Sequence, residues 1–571
     1  MKRLLFLFAI TSTLLCSCGT GQRHISISEE SISESTKSDI PPSSSEESES
    51  SFSSEMTSIS QDTSTSSSPK EDPYMVSIPF AGAAAISGAA LTAYNTTDIK
   101  DSSGNWVNSA HDNGLIISPY YSVRSQKGVA SVFATRTTYG AHSFTLFNAD
   151  RTEYPLTLDI SSKNGKTLQS AKIIGTEEIN PTVSNGKISF SILKPGNYTI
   201  LVNGKIDEAL TIFAYEHESF VCPQGYSLVE KKPGDHGTIR FNQEKTAMVF
   251  KKGVHRIDRI ELCSNTMIYF EDGAQIEAKN ANGSSETPLL NPDWAGMTRY
   301  QALLYAKNAH NIKIHGHAFI DLTKLDWHMR LGAYFEGCSH LDFDGFILNN
   351  SPEWTMHLMH CDNSSVSNCA IFGYRQNSDG FAVVDSNDVT ISDCFARSGD
   401  DLFEVKTMDS NLSNVVQNIR FERCVGWPDK CRGFGIIHET ARDIKNVTFS
   451  NIKVVNAPAD WMDALGALVV IVAGNSTISG IRFENVSINS CSFYPINLTL
   501  AEESNSGTIN DITFSHIAIP NNNAIRLNNA AAKGKLGNIH FDNIIRNEKK
   551  VTNQNELILS KNGILGTLDV K

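Results

Sequence analysis

What restricts this chain most is a short unit that keeps returning through its second half, with apolar residues at alternate positions and often an Asn in front. It reads HNIKIHGHAF from His310, SHLDFDGF from Ser339, SSVSNCAIF from Ser364, NDVTISDCF from Asn387 and QNIRFERCV from Gln417. Further copies are KNVTFSNIKV from Lys445, SGIRFENVSI from Ser479, NDITFSHIAI from Asn510 and GNIHFDNIIR from Gly537. Successive starts lie 23 to 34 residues apart, the length regime of solenoids. Strand-sized runs at that period, without helices between them, predict a right-handed parallel β-helix over residues 218–571. Equivalent strands then stack about 4.8 Å apart, and inward side chains form ladders through the core. Cys369, Cys394 and Cys424 share one place in consecutive units with Ile452, Val486, Ile517 and Ile544 further on, so these thiols read as core filler.

Residues 73–217 follow another pattern. GLIISPYYSVRS, SVFATRTT, SFTLFNAD, PLTLDISS, KISFSILKPGNYTILVNG and ALTIFAYE are short alternating runs separated by Gly, Asn and Pro. They predict an antiparallel β-sandwich, which makes the folded protein all-β. The sandwich serves either as a carbohydrate-binding module or as a cap over the first turn of the solenoid, and without a visible aromatic platform the cap is the reading taken here.

Ahead of it, Lys2 and Arg3 precede an apolar run from Leu4 to Leu15, the order of an export signal and too short to span a bilayer. Leu15-Cys16-Ser17-Cys18 resembles the lipobox of bacterial lipoproteins, which implies a signal peptide over residues 1–18, acylation of Cys18 and a lipid anchor at the bacterial cell surface. Residues 19–72 are Ser- and Thr-rich with scattered Glu, and are expected to form a disordered tether. That tether carries −8 of the chain's net −13; residues 1–18 carry +2, which leaves −7 for the rest. A mild acidity without a basic tract gives no reason to expect nucleic acid as a partner. Nine cysteines beyond Cys18, with no Cys-x-x-Cys pair or Cys/His ligand spacing, give none to expect zinc.

Chemistry concentrates in YRQNSDGFAVVDSNDVTISDCFARSGDDLFEVK, from Tyr374 to Lys406. Asp379 and Asp400 are 21 residues apart, so one coil's separation stacks them, and Asp401 comes with Asp400. Neighbours on a regular strand point to opposite faces, so a bend at Gly399 is needed to bring both into one cleft. Three carboxyls held together cannot all ionise freely, and at least one keeps its proton near neutrality. Seen alone, Asp-Gly and Gly-Asp-Asp would be ordinary turns. Repeated one coil apart, they read as acid/base machinery.

NSDG (Asn377–Gly380) followed by SGDD (Ser398–Asp401) resembles the NTDG and GDD motifs of glycoside hydrolase family 28, the polygalacturonases, and the matching segments of family 49, the dextranases and isopullulanases. HGHAFID from His315 and SPEWTMHL from Ser351 extend the likeness, and a sandwich ahead of the helix is more like family 49. The resemblance implies an inverting hydrolase with Asp400 as general acid and Asp379 and Asp401 activating water, carboxyls about 6.5–9.5 Å apart. Substrate contacts are expected from Asn377, Lys406, His438, Trp354, His357, Tyr374 and Gln376. Where family 28 has Gly-His-Gly this chain has Gly433-Phe434-Gly435, and no Arg-x-Lys follows, which makes a neutral glycan plausible beside a uronate. The expected protein is thus an extracellular, monomeric polysaccharide hydrolase without cofactor or metal. A Ca²⁺-dependent polysaccharide lyase and a non-catalytic glycan-binding β-helix are the alternatives.

Overall fold

The computed structural model describes residues 74–85, 114–281, 286–290, 296–458 and 465–571. The expected signal peptide, acylation of Cys18 and tether fall outside the described residues. Within them no helix is long and apolar enough to cross a membrane.

The first part of the chain forms two packed sheets. One has seven strands, in the order Ile116–Ile117, Phe133–Thr137, Gly140–Ala149, Glu208–Glu216, Gly196–Val202, Ala171–Gly175, with Met75–Ser77 also pairing Gly140–Ala149. The other has five, running Gly128–Val129, Tyr121–Ser125, Leu156–Ser162, Lys187–Ile192, Thr182–Ser184. Alternate residues of Leu156–Ser162 and Lys187–Ile192 point inward, and Leu156, Leu158, Ile160, Ile188 and Ile192 are fully buried against Tyr198, Ile200 and Ile212. The sandwich is therefore present but not wholly antiparallel as expected: Glu208–Glu216 runs parallel to Gly140–Ala149. After Ala149 the chain alternates between the two sheets, and Glu208–Glu216, hairpinned to Gly196–Val202, arrives beside Gly140–Ala149 in the same direction.

From Ser227–Lys231 to Leu568–Val570 the chain forms one sheet of 34 strands, almost all of them pairing in parallel with their counterparts one coil on. A typical coil supplies three strands, as in Met356–Met359, Asp362–Ser367 and Ala370–Phe372. The recurring unit of the sequence is the middle one. Its leading Asn has a physical reason: Asn311, Asn363, Asn418, Asn446 and Asn538 sit at φ of 54, 49, 62, 54 and 51°, a left-handed conformation that Asn tolerates better than other side chains. Asn311, Asn418 and Asn538 also donate to side-chain oxygens one coil back. Inside, Phe421, Phe449, Phe483, Phe514 and Phe541 stack at centroid spacings of 4.8, 4.8, 5.0 and 5.3 Å. Cys369, Cys394 and Cys424 are buried free thiols in the same core, as their ladder position predicts.

The sandwich does not cap the first turn. It lies along the flank of the solenoid, on the strands Phe319–Asp321, Ile347–Asn349, Ala370–Phe372, Phe395–Ser398 and Val425–Pro428. Their outward residues Phe319, Ile347, Ala370, Phe395 and Val425, stacked in register, form an apolar stripe with Phe372 and Trp427. Phe144, Leu146, Phe213 and Tyr215 cover it. Each such side chain taken from water contributes about 1.5–3 kcal/mol, so this seam holds the two parts together firmly.

Candidate active site

The coil boundary that follows this stripe holds the carboxylates. Strand Phe395–Ser398 ends at Ser398, the chain bends through Gly399 and Asp400, and strand Phe403–Thr407 begins two residues after Asp401. The bend expected at Gly399 is there, and its glycine has a packing reason as well: a Cβ would come within 3.0 Å of the Tyr374 carbonyl and 3.1 Å of Thr138 Oγ1. The stacking differs by one residue from the spacing argument. Phe381 pairs with Phe403 and the Gly380 N–H donates to the Asp401 carbonyl, so Asp379 sits over Asp401 and Asp400 is the neighbour at the bend. Coil length here is 22 residues, not 21, because register is set by the strands and not by the motif.

All three aspartates are buried, Asp400 the least so at 6% exposure against 1% for Asp379 and 2% for Asp401. Asp400 accepts from the Asn377 N–H through Oδ2 (2.9 Å) and from the Asp401 N–H through Oδ1 (3.0 Å). Asp401 accepts from the Arg432 backbone N–H (3.1 Å) and its guanidinium (2.9 Å). Neither oxygen of Asp379 accepts a hydrogen bond among the described residues. Burial, then Asp400 and Glu404, push Asp379 well above the ordinary carboxylate range. Burial, then Asp401, raise Asp400 too, opposed by its two N–H donors.

Lys406 lies at the centre of the cluster. Only 2% exposed, its Nζ is 2.9 Å from Glu404, 3.2 Å from Glu439, 3.7 Å from Asp379 and 3.8 Å from Asp401, and it sits 4.5 Å over the Trp354 ring. Burial works against the ammonium, but Glu404, Glu439 and the two aspartates outweigh it and hold its pKa well above the usual lysine value. Burial lifts Glu404 to about 8 despite the lysine. Asp379, Asp401 and Glu404 bring oxygens within 4.8 Å of one another, a set suited to a hard cation, and the Lys406 ammonium already serves these three groups.

Glu404, Glu439 and Arg432 escaped the sequence reading. Glu404 and Lys406 alternate with the core residues Phe403 and Val405, so period-2 logic alone puts both on the outer face. Glu439 is brought in by a register shift: Val405 pairs Ile436 but Thr407 pairs Thr440, and His438 at φ 62° marks the bulge. Arg432 arrives from a coil of 31 residues whose loop length no motif announces.

The other expected residues divide. Trp354 is half-buried beneath Lys406 and packs on His357 at 4.7 Å. His357 is buried between Trp354 and Tyr334 with no hydrogen-bond partner on either ring nitrogen among the described residues; burial, then Lys406, lower its pKa to about 3, so it is neutral. Asn377 is buried: its amide oxygen meets His328 Nε2 at 3.1 Å and its N–H fixes Asp400, in a left-handed turn at φ 63°. Tyr374 is likewise buried, with the Arg136 guanidinium from the sandwich 5.6 Å over its ring. Gln376 is half-buried, and its carbonyl accepts from Trp327 Nε1. The His438 imidazole turns to Glu503 at 3.2 Å and Glu439 at 3.9 Å. Phe434, in the place of the family histidine, points into the core and stacks on Phe403 at 4.5 Å.

Residues 329–521 match the model of a family described as "Glycosyl hydrolases family 28". No curated protein matches the sequence. Among solved structures, Dex49A from Penicillium minioluteum superposes with a TM-score of 0.57 at 13% identity, covering 85% of this chain and 100% of its own. A polygalacturonase from Erwinia carotovora ssp. carotovora gives 0.45 at 17% identity over 62% of this chain and 99% of its own. The Dex49A likeness bears on the fold alone; the family match bears on the coils that carry Asp379, Asp400 and Asp401. On that family match, with a β-helix of this architecture beneath it, the chain is a glycoside hydrolase.

Proposed function

We propose that this protein is an extracellular, inverting hydrolase of a neutral polysaccharide. The observation that carries the reading is the buried cluster of Asp379, Asp400 and Asp401 around Lys406, which holds more carboxyls than can ionise together. Asp400, the most exposed of the three and raised in pKa, gives its proton to the glycosidic oxygen as the bond to the anomeric carbon breaks. A water on the other face of the ring attacks that carbon and loses its proton to Asp379, whose oxygens accept no hydrogen bond among the described residues. The same raised pKa makes Asp379 the stronger base once ionised; Lys406 favours that ionised form, while Asp400, Glu404 and Asp401 oppose it.

Charge supports the choice of substrate. The pocket gathers five carboxyls, Asp379, Asp400, Asp401, Glu404 and Glu439, with Lys406 and Arg432 as cations already engaged by them. A uronate would bring further negative charge to that surface, whereas a neutral glycan meets no such cost. The lyase alternative is weaker because its candidate base, Lys406, is fixed between four carboxylates with its pKa raised, the opposite of what a base requires. Lipid anchoring through Cys18 at the cell surface, supported by the N-terminal sequence, completes the reading.

Purified protein should release reducing ends from neutral α-glucans and not from polygalacturonate. Asp400→Asn should reduce turnover by about 10²–10⁴-fold with substrate binding retained, because it removes a proton and little volume. Near-normal turnover by that variant would refute the assignment.

A further inference from the structure

The sandwich reaches the catalytic bend through polar contacts that the apolar seam does not need. Its hairpin Phe133–Thr137/Gly140–Ala149 turns at Thr138 and Tyr139. Thr138 lies against Gly399, directly before Asp400, and the Tyr139 hydroxyl donates to the Asp429 carbonyl at 2.9 Å. Just inside the hairpin, His142 Nδ1 accepts from Arg397 at 3.2 Å, while its Nε2 meets Thr211 Oγ1 at 2.7 Å, which sets the neutral tautomer. The Ile206 carbonyl accepts a second Arg397 bond at 3.1 Å.

Arg397 and Asp429 are both fully buried and joined by two contacts from Nε, at 3.1 and 3.0 Å, with the guanidinium 3.8 Å over Trp427. From this pair the connection to the aspartates is short. The Asp429 N–H donates to the Ser398 carbonyl at 2.8 Å. The Ser398 hydroxyl lies 3.0 Å from Ser378 Oγ, donates to the Ser378 carbonyl, and accepts from the Asp400 N–H at 3.3 Å. Ser378 precedes Asp379, so one hydroxyl ties the acid's backbone to that of the base.

We propose that the sandwich is a working part of the active site. Through Arg397 and Asp429, its hairpin holds Ser398 and thereby the separation of Asp379 and Asp400. Arg397 and Asp429 are positioning residues: they touch no substrate, and they act through the bend. A displacement of about 1 Å in such a frame costs on the order of 10²-fold in rate without loosening ground-state binding. This rests on the hydrolase reading above.

The test compares Arg397→Lys and Tyr139→Phe with Asn148→Ala. The last removes a sandwich–solenoid hydrogen bond of 2.8 Å to Asp272, away from the bend. Lysine keeps the charge of Arg397 but loses the fork. Expected are a fall in kcat of about tenfold or more for Arg397→Lys and about threefold for Tyr139→Phe, KM within about twofold, and no change in kcat for Asn148→Ala. Hydrogen exchange should quicken across residues 398–403 in both latch variants and not in Asn148→Ala. Equal kcat and equal exchange in all three would overturn the proposal, and so would an equal loss of kcat in all three. If Arg397→Lys fails to fold, Tyr139→Phe decides. Should the wild-type protein hydrolyse no glycan, the hydrolase reading falls by itself, and the exchange data alone decide whether the latch exists.

Discussion

Replacing Lys406 by Met keeps most of the buried stem and removes the charge that four carboxylates share. At contacts of 2.9–3.8 Å and an effective dielectric near 20, each attraction is worth about 4–6 kcal/mol gross, and burial offsets several kcal/mol of that for every ion. Taking one partner from such a cluster costs about 3–5 kcal/mol net, because the remaining charges stay buried without compensation. The loss must depend on pH. Asp379 and Glu404 already have folded pKa values above their unfolded ones, and losing the lysine raises them further. Groups raised in this way favour the folded state fully when protonated, and that contribution is lost as pH climbs from about 4 through the folded values. Wild-type Glu404 gives up its proton only near pH 8, so the penalty of Lys406→Met should widen as pH rises from 6 to 9. Thermal melts at those two pH values, followed by circular dichroism, measure this. A penalty of equal size at both, or none at pH 9, would show that Lys406 is not the counter-ion of the site.

Two further outcomes follow from the same packing. Glu404 holds its proton to about pH 8 in the folded protein against 4.5 as its ordinary value, so wild-type stability falls between those limits. Glu404→Gln should flatten the melting temperature between pH 5 and pH 8, and an unchanged slope would place the titration elsewhere. Phe434→His, which introduces the histidine of the family 28 motif that the sequence resembles, should lower stability by about 2–4 kcal/mol in denaturant melts, since it buries an imidazole between Phe403 and Phe449. It should not confer activity on polygalacturonate. Gain of that activity would mean the strand can present this position to the groove.

Much of this architecture was legible because the middle strand of each coil repeats its pattern. Asn311, Asn418 and their equivalents punctuate the sequence where the backbone must turn left-handed, and Phe421 to Phe541 keep the core ladder in phase. The other two strands of a coil are short and joined by loops of unequal length, so they leave no period to read. The three aspartates were found because motif and bend fall within a few residues. Their partners were not: Arg432 and Glu439 depend on a 31-residue coil and on a bulge, both set by pairing across the sheet. That Tyr374 and Asn377 are buried was hidden too, since sequence proximity to Asp379 does not say which way the turn folds. The sandwich's position was also hidden. Phe319, Ile347, Phe395 and Val425 look like ordinary strand residues until they stack into one stripe.

The most direct measurement is the configuration of the first product, followed by proton NMR at the anomeric carbon during hydrolysis of a neutral glycan. With Asp400 as proton donor and Asp379 and Asp401 directing water to the opposite face, the anomer released first must have the configuration opposite to that of the bond cut. A first product that keeps the original configuration would mean that a carboxylate attacks the sugar itself, and the roles assigned to the cluster would be wrong.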